Sequence, residues 1–200
     1  MYKLPISLIY LRLLLGPLLT LLSFLQVTYY STIAIIILSV GLLSDIFDGI
    51  IARRLNISTQ KFRRLDSTTD LIFFSFVGIA TLTACPSFFQ TNIVKLLILF
   101  GFEAFTYVIC YLKFKKEIAT HTISSKIWTL VLFSTLIQVI ATCTSNILFE
   151  LCFYIGILTR LEIIAIVMIL KVWSNDVPTF YHAVLLRNGK MIKRHKLFNG

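Results

Sequence analysis

Six apolar stretches separated by polar breaks run along this chain of 200 residues. The pattern predicts spans at 4–25, 32–51, 66–84, 93–112, 127–147 and 148–172. Each comes close to the ~20 apolar residues that a helix needs to cross a hydrocarbon layer about 30 Å thick. The first has no small-residue cleavage site after its apolar core, so it reads as a retained transmembrane helix. Its one internal charge is Arg12. Two readings of Arg12 stand: it faces the interior of the helix bundle, or the helix starts flat and the side chain snorkels to headgroups. The polar breaks fall at 26–31, at 53–65, around Pro86 and 90–92, and at 113–126. Ser58 and Thr59 both suit the cap of the third helix. A polar, basic tail covers 173–200, where Asn188-Gly189 reads as a turn and a short interfacial piece is expected.

Composition supports the span reading. Hydrophobic residues make up 58% of the chain and charged residues 14%, with a mean hydropathy of +0.88. Soluble proteins have roughly 45–50% and about 25%. The class is therefore an all-α integral membrane protein, one membrane domain over 1–200 with no room for a separate soluble one. The net charge of +10 would suggest nucleic acid in a soluble protein. Here the 53–65 break carries five basic residues, the 113–126 break four and the 171–196 region six, 15 of the 19. Six spans put all three regions on one side of the bilayer, the cytoplasmic side. The basic partner is thus a lipid surface and not nucleic acid. Cys85, Cys110, Cys143 and Cys152 show no paired spacing and read as small buried hydrophobes.

The chemistry lies in S-D-I-F-D-G-I-I-A-R-R-L-N-I-S-T-Q-K-F-R-R-L-D-S-T-T-D-L, residues 44–71. Four of the nine carboxylates are here: Asp45, Asp48, Asp66 and Asp70. Asp45 and Asp48 are i and i+3, and Asp66 and Asp70 are i and i+4, so each pair shares a helix face. A polar loop between the pairs reverses the chain and brings two helix ends together. Four clustered carboxylates repel unless cations neutralise them. An all-oxygen set suits hard divalent ions such as Mg²⁺. Two such ions can clamp a phosphoryl group during displacement.

The stretch resembles the CDP-alcohol phosphotransferases, whose pattern is D-x2-D-G-x2-A-R-x8-G-x3-D-x3-D. Asp45, Asp48, Gly49, Ala52, Arg53, Asp66 and Asp70 match in type and spacing, and Phe62 stands where the family has its second glycine. The six apolar stretches and the charge asymmetry predict six transmembrane helices with an active-site cleft between spans two and three facing the cytoplasm. The resemblance implies transfer of a substituted phosphate from a CDP-linked lipid to a small alcohol acceptor, with CMP leaving. It implies two Mg²⁺ or Mn²⁺ ions on Asp45, Asp48 and Asp66, with Asp70 as the base while also touching metal. Asp45, Gly49, Ala52 and Arg53 are then the nucleotide contacts, and Arg53 could instead be only a membrane-edge anchor. Phe62 would crowd the cytidine or stack on it. The family's members are commonly homodimers, so a homodimer is expected.

Further residues resemble the family more loosely. Ser124–Thr129 is similar to its G-K-x-K-T segment, with Lys126 retained and Trp128 in place of the second lysine. Lys126, Arg160 and Arg63 are candidates for holding the acceptor or its phosphate; for Lys126 and Arg160, a role in topology or at the interface stands beside that one. Glu103, deep in the fourth span, is expected to pair with Arg12 or Arg160. The spacing of Pro5, Arg12 and Pro17 resembles the phosphatidylglycerophosphate-synthase branch and favours glycerol 3-phosphate as acceptor. A small cation-coupled transporter would carry its acids near the midplane, on broken helices. A non-catalytic scaffold of the same fold would not need all four aspartates.

Overall fold

The computed structural model describes residues 3–55, 57, 59–116, 118, 120, 122–190 and 192. Among these residues there are seven helices and no strand: α1 (Lys3–Phe24), α2 (Tyr30–Arg54), α3 (Gln60–Ala84), α4 (Pro86–Phe114), α5 (Ile123–Thr142), α6 (Ile147–Ile169) and α7 (Phe180–Arg187). The first six are long and apolar enough to cross a membrane. The shortest of them, α5, has 20 residues, about 30 Å at 1.5 Å per residue. Leu14, Leu97, Phe100, Leu112 and Leu158 are exposed, which is costly in water and normal against lipid.

Three helices begin four to seven residues earlier than hydropathy alone predicts, each because of the residues at its start. Thr59 is extended, and its side chain accepts a hydrogen bond from the Phe62 amide at 3.2 Å. This starts α3 at Gln60, so Lys61, Arg63 and Arg64 are helical and not in a loop. Helix α4 starts at Pro86, where a missing N–H costs nothing. Thr122 accepts from the Ser125 amide at 3.1 Å and starts α5 at Ile123. The short piece in the tail is α7. It ends at Arg187, and Gly189 follows with φ +72°; bonds run from the Gly189 amide to the Leu186 carbonyl and from the Lys190 amide to the Leu185 carbonyl, closing the helix as the Asn-Gly turn predicts.

The chain divides into two compact units. One comprises residues up to 90 together with 136–144; the other comprises 91–135 and the chain from 145 onward. In the first, α1 packs on both α2 and α3. Small residues set the approach of α1 to α3. A Cβ on Gly16 would lie 3.1 Å from the Phe76 ring, and the Thr20 hydroxyl donates to the Phe76 carbonyl at 3.0 Å. Cys85 and Cys143 are joined in a disulfide between the C-terminal ends of α3 and α5. This corrects the reading of these two as inert hydrophobes; their pairing is set by tertiary packing, which spacing does not encode. Cys110 and Cys152 are free and buried, as expected.

In the second unit α7 packs back on α6. Val177 and Ala183 bury against Ile166 and Leu170. Lys113 donates to the Val167 and Met168 carbonyls at 3.0 and 2.7 Å, satisfying the last turn of α6. Gly156 makes room for Trp128, whose indole N–H donates to the Cys152 carbonyl at 3.0 Å.

Candidate functional site

Asp45 and Asp48 lie near the C-terminal end of α2, and Asp66 and Asp70 lie in the second and third turns of α3. What sets the distance between these helices is visible one to two turns away. Gly41 is one turn before Asp45 on α2, and Phe73 is one turn after Asp70 on α3. The Phe73 ring, 1% exposed, rests on the bare backbone of Gly41, where a Cβ would come within 2.4 Å of it. Only glycine allows that contact.

The four carboxylates converge on Arg12 of α1. Its Nη1 donates to Asp45 at 2.8 Å and to Asp70; its Nη2 donates to Asp66 at 2.6 Å and to Asp48. The Arg12 side chain is 1% exposed and Asp48 is fully buried, while Asp45, Asp66 and Asp70 are partly open at 37%, 24% and 31%. The interior reading of Arg12 therefore holds and the snorkelling one does not. Sequence reasoning missed its partners. The signal was available: Arg12 is the one charge between Leu4 and Phe24, and four acids lie in the next two helices.

In this cluster two buried atoms stay without a hydrogen-bond partner: Arg12 Nε and Asp48 Oδ1. Asp45, Asp48 and Asp66 each offer an oxygen, and these lie within 4.8 Å of one another. A buried carboxylate oxygen without a donor is expensive. A hard divalent ion among three carboxylates would satisfy it, so the donor set fits Mg²⁺ or Mn²⁺.

The other predicted residues fall as follows. Arg53 folds back over Gly49, with Nη1 at 3.3 Å from where a Cβ would be. Ala52 is buried, 1% exposed. Arg63 lies one turn before Asp66 on α3, on the same face. Phe62 is in the first turn of α3 and half-buried. Lys126 and Arg160 belong to the second unit. Lys126 is exposed in the first turn of α5. Arg160 pairs with Glu103, one of the two partners expected, and its guanidinium stacks 4.8 Å from the Trp128 ring centroid. Glu162, which sequence reasoning left without a role, accepts from the Ser124 hydroxyl and from the Phe180 amide at 3.3 Å, tying the start of α7 to α6. His121 and His195, expected to be chemically idle, lie outside the described residues. His182 bonds Thr179 at 2.8 Å at the start of α7.

No curated protein and no solved structure matches the chain. The family model for CDP-alcohol phosphatidyltransferase matches residues 2–173, which takes in α1 to α6 and all four aspartates. With that match, and with the aspartates of its two pairs brought together on α2 and α3, this chain belongs to the CDP-alcohol phosphatidyltransferase family, whose members transfer a substituted phosphate to an alcohol and release CMP.

Proposed function

We propose that this chain transfers the phosphatidyl group of CDP-diacylglycerol to a small alcohol acceptor, with glycerol 3-phosphate the leading candidate. One observation carries the reading: in a chain of this family, four aspartates meet at one point of the first unit. Asp45, Asp48, Asp66 and Asp70 would hold two Mg²⁺ or Mn²⁺ ions. Bound there, the ions offset the charge of the diphosphate and of the departing CMP. Asp70 takes the proton of the acceptor hydroxyl as its oxygen bonds to phosphorus and the phosphorus–oxygen bond to CMP breaks. Arg53 offers a fork to a phosphate of the nucleotide, beside Asp45, Gly49 and Ala52. Arg63, one turn before Asp66, supplies positive charge for a phosphorylated acceptor, and the spacing of Pro5, Arg12 and Pro17 supports glycerol 3-phosphate.

The cleft between α2 and α3 opens to the cytoplasm on this reading. Two features support it. Basic residues crowd the end of α2, the start of α3, the end of α4 with the residues just after it, and the tail. The Cys85–Cys143 disulfide lies beyond the C-terminus of α3, the end remote from Asp66 and Asp70, and disulfides persist on oxidising faces. The whole chain acts as one membrane domain, in a homodimer, as the family commonly does. The test is incubation with CDP-diacylglycerol, Mg²⁺ and a panel of acceptors, with product lipids read by mass spectrometry. Phosphatidylglycerophosphate is the expected product. A product formed only with an uncharged alcohol overturns the acceptor assignment, and no product with any acceptor overturns the reaction.

A further inference from the structure

Arg12 sits where a cation bridging the aspartates would sit. Nη2 touches Asp48 and Asp66 and Nη1 touches Asp45, the three residues whose oxygens fall within 4.8 Å of one another. A divalent ion with ligands near 2.1 Å would draw on the same three carboxylates. Two cations that close together repel, so the guanidinium must give way to the ion. The fit of Arg12 is also incomplete. Its Nε finds no acceptor and Asp48 Oδ1 finds no donor, although both are buried. A site built around this guanidinium alone would satisfy both atoms. Arg12 has no acid on its own helix, since α1 carries none. Without a cation at this point, four acids would face one another half out of water, at a cost that α2 and α3 would relieve by parting.

We propose that Arg12 is a built-in stand-in for the metal: it holds the four aspartates in register in the metal-free protein, and divalent metal binds by displacing it. Metal uptake is then an exchange of one cation for another, so Arg12 lowers metal affinity while preserving the shape of the site. The proposal rests on reading the aspartates as metal ligands, and the experiment separates the two. Mn²⁺ binding to the full-length protein in detergent is followed by the electron paramagnetic resonance of free Mn²⁺, and unfolding temperature is measured with and without Mn²⁺. The variants are Arg12→Gln, Arg12→Lys and Asp48→Asn. Arg12→Gln should bind Mn²⁺ at least about tenfold tighter than the parent, unfold at a lower temperature without metal, and recover more on adding it. Arg12→Lys keeps a charge but loses the fork that spans both pairs, so it should fall between the two, and it serves alone if Arg12→Gln does not fold. Mn²⁺ affinity unchanged or weakened in whichever Arg12 variant folds overturns the exchange. If neither the parent nor any Arg12 variant binds Mn²⁺ more tightly than Asp48→Asn does, the metal site itself is refuted.

Discussion

Adding one methyl group at Gly41 should disable the site without touching it. The Cβ of Gly41→Ala would lie 2.4, 2.7 and 3.2 Å from three atoms of the Phe73 ring. Carbon atoms rest about 3.5–4.0 Å apart, so α2 and α3 must separate by roughly 1 Å, or the ring must leave its place. The ring is 1% exposed and set edge-on to Phe74, so the helices give way. Overpacking of this kind costs about 1–3 kcal/mol. The larger effect is on rate. Gly41 and Asp45 are one turn apart, as are Phe73 and Asp70, so the shift passes directly to the carboxylates. A misplacement of about 1 Å can cost on the order of 10²-fold. The assay is the initial rate of CDP-diacylglycerol-dependent transfer in detergent micelles, with thermal unfolding measured alongside. Gly78→Ala is the control, because nothing lies within 4 Å of its would-be Cβ. Shrinking the ring in the double variant Gly41→Ala/Phe73→Leu should return part of the loss, a coupling of about 0.5–3 kcal/mol. The reasoning fails if Gly41→Ala keeps parental rate and stability, or if Gly78→Ala is equally damaging.

Asp70→Asn should fold and lose turnover by at least about 10²-fold; rescue to near-parental rate at high Mg²⁺ would make Asp70 a metal ligand only. Chelation should abolish activity and Mg²⁺ or Mn²⁺ should restore it, so full turnover in metal-free protein would end the metal reading. A cysteine placed at residue 90 in a background with Cys110 and Cys152 replaced should react with impermeant thiol reagents from the outer face; labelling only from the cytoplasm would invert the topology. Non-reducing and reducing electrophoresis of thiol-blocked protein should show Cys85 and Cys143 protected until reductant is added, and two freely alkylated thiols would contradict the bond.

Local patterns carried much of this structure, and contacts between distant residues carried the rest. The six spans follow from runs of apolar residues that only lipid can accommodate, and the aspartate pairs follow from i, i+3 and i, i+4 spacing. Helix starts were misplaced by up to seven residues, because hydropathy ends at the first charged or polar residues whereas helices run back to a cap, Thr59 or Thr122, or to a proline at the first position. Arg12 could be narrowed to two environments but not assigned its four partners, which lie 33 to 58 residues away. The Gly41–Phe73 contact and the disulfide had no signature in either helix. Arg160 and Glu103 were paired correctly as one of two alternatives, since few opposite charges exist at span depth.

The bond between Cys85 and Cys143 also records how the chain was threaded. The two residues are 58 positions apart, with α4 and α5 between them. For their sulfurs to meet, α4 must leave the side where Cys85 waits and α5 must come back to it. A ribosome-bound chain with only four spans inserted has no partner to offer Cys85, and a chain in which α5 slipped past the membrane without entering it would strand Cys143 on the wrong side. The oxidised form is therefore a certificate of completed insertion, legible on a gel, whereas lingering free thiol at Cys85 marks chains that stalled or were mis-threaded on the way in.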